Sequence, residues 1–154
     1  MPLAQIGSRL VDLGAASGLY VLLMIYYGVG LGPWGALVPV FLLLLLLFTI
    51  GVTLATSALN VFYRDINPVV QIGLQLWLYL TPVAYPLSVV PEKYRLFFLL
   101  NPLTGVVEGL RAALVFGREP EWPVVGISAL LILIVFVGGL TLFKRTDKYF
   151  ADVV

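Results

Sequence analysis

Residues 35–59 read GALVPVFLLLLLLFTIGVTLATSAL, a run without a single charged side chain. A bilayer core about 30 Å thick asks for about 20 consecutive, mostly apolar residues per helical crossing, and this stretch meets that length. Three more stretches of the same kind lie at about residues 10–31, 68–85 and 122–143. All four are too apolar for the alternating pattern of a membrane β-barrel, and only helices then satisfy their own backbone in lipid. The expectation is an all-α integral membrane protein, a single transmembrane domain over residues 1–154 with four transmembrane helices. Composition agrees: 61% of residues are hydrophobic and 11% charged, with a mean hydropathy of +1.06. A soluble domain carries about 25% charged residues to cover its surface.

The first stretch is read as a retained helix. One Arg precedes it, it lacks a short apolar core ending in a small-residue cleavage site, and another span follows at once. The chain has no Cys and no His, which removes disulfides, thiol nucleophiles, imidazole bases and the usual transition-metal ligands together. A net charge of +1 gives no sign of nucleic acid. The GVGLGPWG stretch (Gly28 to Gly35) has no Lys-Ser/Thr behind it, so it is a tight hairpin rather than a phosphate-cradling loop. Asp12 is the one acid inside a span, which leaves an intramembrane enzyme without its groups. No cofactor and no metal are expected, and any energy enters from elsewhere.

Orientation rests on the positive-inside rule. With the N-terminus inside, Arg9, Arg64, Lys144, Arg145 and Lys148 face the cytoplasm, and Lys93, Arg95, Arg111 and Arg118 face out. The division is nearly even. The uncharged hairpin after the first span decides it, because the outer charges sit in one long loop where they weigh less. Both termini are placed in the cytoplasm.

NVFYRDINPV (Asn60 to Val69) follows the second span directly, on the cytoplasmic side. Asn67-Pro68 reads as an N-cap followed by Pro at the first helical position. That makes residues 60–66 a short polar surface segment carrying Tyr63, Arg64 and Asp65. Two readings are open: an interfacial anchor, or a docking knuckle for a cytoplasmic partner.

Within the second span, Thr49, Thr53, Thr56 and Asn60 share one narrow face, and Gly51, Ala55 and Ala58 lie opposite. Small residues admit a close helix backbone, and hydroxyls bond across helices for roughly 0.6–2 kcal/mol each. Gly14 and Gly18 form another small pair. In the third span, Gln71, Gln75 and Tyr79 follow one another turn by turn. Amides in hydrocarbon need a partner or water, so the stripe faces either another helix or a wet space. Trp77 points away from it. TPVAYP (Thr81 to Pro86) breaks the helix near the outer face.

Between about residues 96 and 116 the outer loop is again mostly apolar and holds a second Asn-Pro, Asn101-Pro102. By the same capping logic a helix starts at Pro102 and runs to about Phe116. At 1.5 Å per residue it measures about 22 Å, too short to cross. Glu108 and Arg111 lie three apart and can pair. A re-entrant element on the outer side, a candidate lid, fits better than a fifth crossing.

Four motifs in order, SALNVFYRDI (57–66), QLWLYLTPVAYP (75–86), LNPLTGVVEGLR (100–111) and YFADVV (149–154), resemble the ABC-2 type permeases. The branch they resemble exports bacterial polysaccharide and polyol phosphate: O-antigen, capsule and teichoic acid. The resemblance implies a six-helix subunit that forms a homodimer in the bacterial plasma membrane and couples to a separate cytoplasmic ABC ATPase. This chain matches the last four helices, so the family's N-terminal third is expected upstream of Met1. Carried over, Tyr63, Arg64 and Asp65 contact the ATPase. Gln71, Gln75 and Tyr79 line the translocation path for a lipid-linked glycan or polyol phosphate, and Asn101, Pro102, Glu108 and Arg111 belong to an outer gate. The alternatives are a small-molecule or drug efflux permease of the same superfamily, or a truncated membrane scaffold without transport.

Overall fold

The computed structural model describes residues 32–62, 66–83 and 85–151, and, in the first apolar stretch, residues 11, 14–19, 22–24 and 26. Residues 14–19 and 22–24 are helical (α1). A 3-10 turn at Pro33–Leu37 leads into α2, Val38–Phe62. Then come α3 (Ile66–Leu80), α4 (Glu92–Leu99), α5 (Thr104–Leu114) and α6 (Trp122–Ala151). The described residues contain no strand.

Prolines mark the helix starts. Pro33 opens the turn before α2, and Pro39 and Pro123 stand in the first turns of α2 and α6, where backbone N–H groups have no intrahelical acceptor to lose. With 25 and 30 residues, α2 and α6 measure about 37 and 45 Å. Among the described residues these two are long and apolar enough to cross a bilayer singly. The 15 residues of α3 give about 22 Å, because Pro82 stops the helix sooner than the apolar pattern does.

The core lies where α2, α5 and α6 meet: Phe41 and Phe48 from α2, Val106 and Ala113 from α5, Val125 and Ile132 from α6. Gly32 lies against Gly117, and the same number of residues further along each chain Gly51 lies against Phe136. The two long helices therefore run parallel and in step. A Cβ on Gly51 would come within 2.7 Å of the Phe136 Cα, and one on Gly139 would strike the Gly51 carbonyl. This is the close backbone approach that the small face of the second span leads one to expect, and Ala58 is likewise buried.

The threonine face behaves differently. Thr49, Thr53 and Thr56 bond within their own helix, to the carbonyls of Leu45, Thr49 and Val52 at 2.7–2.8 Å. Among the described residues these hydroxyls make no bond across helices, because the carbonyl one turn back lies within reach of each hydroxyl at no cost in ordering a neighbour. Gly14 and Gly18 meet no atom that a Cβ would touch.

The expected lid is one leg of a bent pair. α4 and α5 meet at 102°, with the turn at Asn101-Pro102 between them. The Asn101 side chain accepts the Leu103 N–H at 3.0 Å, a local turn rather than the expected helix cap, since regular helix begins at Thr104 with Leu103 as its N-cap and no side-chain cap bond. After α5 the chain turns at Gly117, whose φ of +58° suits a residue without Cβ, and the Arg118 N–H returns to the Ala112 carbonyl. At the other Asn-Pro, α3 begins at Ile66, one residue ahead of the expected cap.

Gly139→Val should push α2 and α6 apart and cost about 1–3 kcal/mol. Gly138→Ala, where a Cβ meets nothing, should be tolerated. Thermal unfolding in detergent distinguishes the two, and equal midpoints would contradict this packing.

Candidate functional site

Where α3 breaks, its last carbonyls have no helical donors. The chain continues through Thr81, Pro82 and Val83, and prolines at 82 and 86 contribute no N–H. Orphan carbonyls in an apolar surround need donors from elsewhere. Arg111 of α5 supplies them. Its Nη2 donates to the Pro82 and Val83 carbonyls at 2.9 and 2.8 Å, and its Nη1 to the Tyr85 carbonyl at 3.3 Å. Glu108, one turn back on α5, accepts from Arg111 and also takes the Leu87 N–H at 2.8 Å. The two side chains are only 16% and 17% exposed. Charge is thus neutralised inside the cluster, and both groups hold backbone of the broken segment.

A second contact lies beside the first. Asn101, at the elbow between α4 and α5, is 8% exposed. Its Oδ1 accepts the Trp77 indole N–H and the Leu103 N–H; its Nδ2 donates to the Leu80 carbonyl and the Thr81 hydroxyl. Both donors and both acceptors are used, so the amide is fully satisfied. Thr81 donates in turn to the Trp77 carbonyl, and the Trp77 ring lies 6.2 Å from that of Phe48 on α2. Below, α5 seats on the long helices: the Gly105 N–H donates to Ser128 Oγ, and Phe41 packs onto Gly109.

Of the sequence-expected gate residues, Asn101, Pro102, Glu108 and Arg111 are brought together, the first two buried and the last two largely so. Gln71, Gln75 and Tyr79 are exposed, as are all residues from 71 to 80 of α3. Tyr79 is 78% exposed. Exposure therefore does not single out the polar stripe from its leucine neighbours. Tyr63, Arg64 and Asp65 lie outside the described residues.

The sequence reading did not connect Trp77, Thr81 and Leu87 with Asn101 and Glu108. One signal was available. TPVAYP leaves carbonyls without donors, and Arg111 is the cation of the neighbouring apolar segment.

The family described as ABC-2 type transporter matches residues 2–115, from before α1 through α5. The chain belongs to that family. Similar proteins include the O-antigen export system permease protein RfbA of Klebsiella pneumoniae, 30% identical over 121 residues, 79% of this chain and 46% of that one. RfbA of Myxococcus xanthus is 30% identical over 137 residues, 84% of this chain and 52% of that one. The polysialic acid transport protein KpsM of Escherichia coli is 27% identical over 105 residues, 68% of this chain and 41% of that one. This ABC-2 chain thus spans about half the length of the relatives it matches. It is an all-α, multi-pass membrane protein, and within the ABC-2 match lie both partners of the clamp, α3 and the α4–α5 elbow.

Removing Arg111 strands the Glu108 carboxylate and three carbonyls, so Arg111→Ala should cost about 3–5 kcal/mol. Arg111→Lys should recover little of it, because an ammonium lacks the planar fork. Glu108→Leu with Arg111→Leu should cost less than the two single changes together. A double-mutant cycle on unfolding in detergent measures this, and strict additivity would dissolve the clamp.

Proposed function

We propose that this chain is the transmembrane permease subunit of an ATP-driven exporter. Its cargo is a lipid-linked polysaccharide or polyol phosphate, moved outward across the bacterial plasma membrane. It performs no covalent chemistry; ATP is hydrolysed by a separate cytoplasmic ABC ATPase. The working unit is a homodimer, with both termini of each chain in the cytoplasm. Family membership supports the reading, as do the names of the relatives, which are O-antigen export and polysialic acid transport proteins.

The observation that carries the reading furthest is the family match over residues 2–115, and the way α3 is held adds to it. Its polar stripe of Gln71, Gln75 and Tyr79 is exposed, while its outer end is locked to the elbow by Asn101 and Arg111. A helix fixed at one end and open along its side is suited to line a path. Amides and a phenol exchange hydrogen bonds with sugar hydroxyls, and an aromatic face stacks on a sugar ring.

Force enters at the other end. The segment with Tyr63, Arg64 and Asp65 joins α2 to α3 and docks on the ATPase. When the ATPase closes on ATP, that knuckle moves. The rigid α2–α6 pair carries the displacement to α5, which sits on both helices, and through the clamp to the outer end of α3. The elbow, with Asn101, Pro102, Glu108 and Arg111, is the outer gate.

Gln75→Leu with Tyr79→Leu should lower export about tenfold, since each lost hydrogen bond to cargo is worth ~1 kcal/mol, while the amount in the membrane stays constant. Surface glycan measured in a strain dependent on this permease tests it; normal glycan would remove the path assignment. Arg64→Glu should weaken recovery of the ATPase with the permease without impairing membrane insertion. Undiminished recovery would exclude the docking role.

A further inference from the structure

Outside the clamp, the elbow encloses a cavity of about 150 Å³ against the start of α6. Its polar lining is Arg95 from α4, Glu108 from α5, and Arg118, Glu119 and Glu121 from the turn into α6; Val124 forms part of an apolar wall. Nothing argued so far uses this space, although Glu108 of the clamp lines it.

The chemistry of the wall narrows what fits. Both hydrogen bonds that Glu108 makes to described residues end on Oε1, and Glu108 also lines the cavity. Arg95 stands 3.5 Å from Glu121 with both side chains partly exposed, a pair loose enough to share its donors and acceptors. Glu119 accepts the Trp122 indole N–H at 2.7 Å, and the Arg118 guanidinium lies 4.9 Å from the Phe116 ring centre. The cavity thus presents donors and acceptors side by side. Glu108 is neutralised by Arg111, and the remaining wall charges, two of each sign, cancel. Such a wall has no net charge to favour an anion or a cation. No group of acidic side chains spaced to hold a metal ion occurs among the described residues.

A neutral ligand whose every polar group both donates and accepts suits such a wall, and that description is a sugar hydroxyl. Size sets the unit. A cavity of about 150 Å³ holds one six-membered ring, and the open mouth of this one leaves room for exocyclic groups. We propose that the cavity is an extracytoplasmic subsite for a single uncharged hexose unit of the exported polymer. The proposal rests on the glycan-export reading and narrows it. The hydroxyls bind Glu108 and the Arg95–Glu121 and Arg118–Glu119 groups, and the occupied site lies one carboxylate away from the gate clamp.

Saturation-transfer NMR on the purified chain in lipid nanodiscs tests this with free mannose, galactose and glucose, against glycerol 3-phosphate and N-acetylneuraminic acid. At least one neutral hexose should give signal, and the two anions none. Arg118→Ala and Glu119→Ala, both at exposed positions that the core does not need, should each lower the hexose signal about fivefold, as one lost hydrogen bond would. Absence of hexose signal, equal signal from the anions, or hexose signal undiminished in both variants would each overturn the subsite. Surface-glycan export is read separately. Normal export with no hexose binding removes the subsite alone, whereas hexose binding in a chain that exports nothing removes the transport reading and with it the assignment of the hexose to an exported polymer.

Discussion

A helix that stops in an apolar surround leaves carbonyl oxygens in need of donors. In this chain α3 ends at Leu80, ahead of Pro82, and the α4–α5 elbow is organised around the broken segment that follows. Arg111 reaches across from α5 to the Pro82, Val83 and Tyr85 carbonyls, and Glu108 neutralises it while taking the Leu87 N–H. A charge on a helix in an apolar layer costs up to about 2.5–3.5 kcal/mol when unpaired. Here it is paired, and its remaining donors go to groups that would otherwise be orphaned. The same two residues therefore remove three separate penalties, which is why neither can be lost singly without exposing the others.

The clamp works because what lies behind it is stiff. α2 and α6 run parallel, with Gly51 and Gly139 letting their backbones touch, and α5 sits in the notch through Gly105 and Gly109. Those contacts are made by backbone and the short Ser128 side chain, except at Gly109, where the buried Phe41 ring fills the notch. α3 is seated less closely. Its residues 71–80 are all exposed, although Trp77 meets Phe48 and Asn101 holds its C-terminal end. The molecule thus combines a packed body with one helix that keeps an open side. The cavity of about 150 Å³ beside Glu108 lies next to the segment that holds this end of α3.

Several features could be read from residues alone. The apolar stretches gave the membrane class and the all-α architecture, since length and charge density decide those without tertiary detail. The small face at Gly51 and Ala58 was legible as a packing face, because a missing side chain has the same steric meaning wherever the partner comes from. The threonine face misled. A hydroxyl can bond its own helix or a neighbour, and periodicity cannot tell which, so Thr49, Thr53 and Thr56 turned inward to their own carbonyls. The Glu108–Arg111 pair was visible as an i, i+3 couple. Its second role was not, because the partner carbonyls lie more than twenty residues away in the chain.

The sequence by itself determined the solvent, the helical class and the places where the backbone must break, because hydropathy and proline act locally. Only the tertiary structure decided which broken end meets which donor, that the two long helices lie in parallel register, and that five charged side chains from three segments enclose one cavity. Those outcomes depend on contacts between residues far apart in the chain, where spacing carries no information about distance.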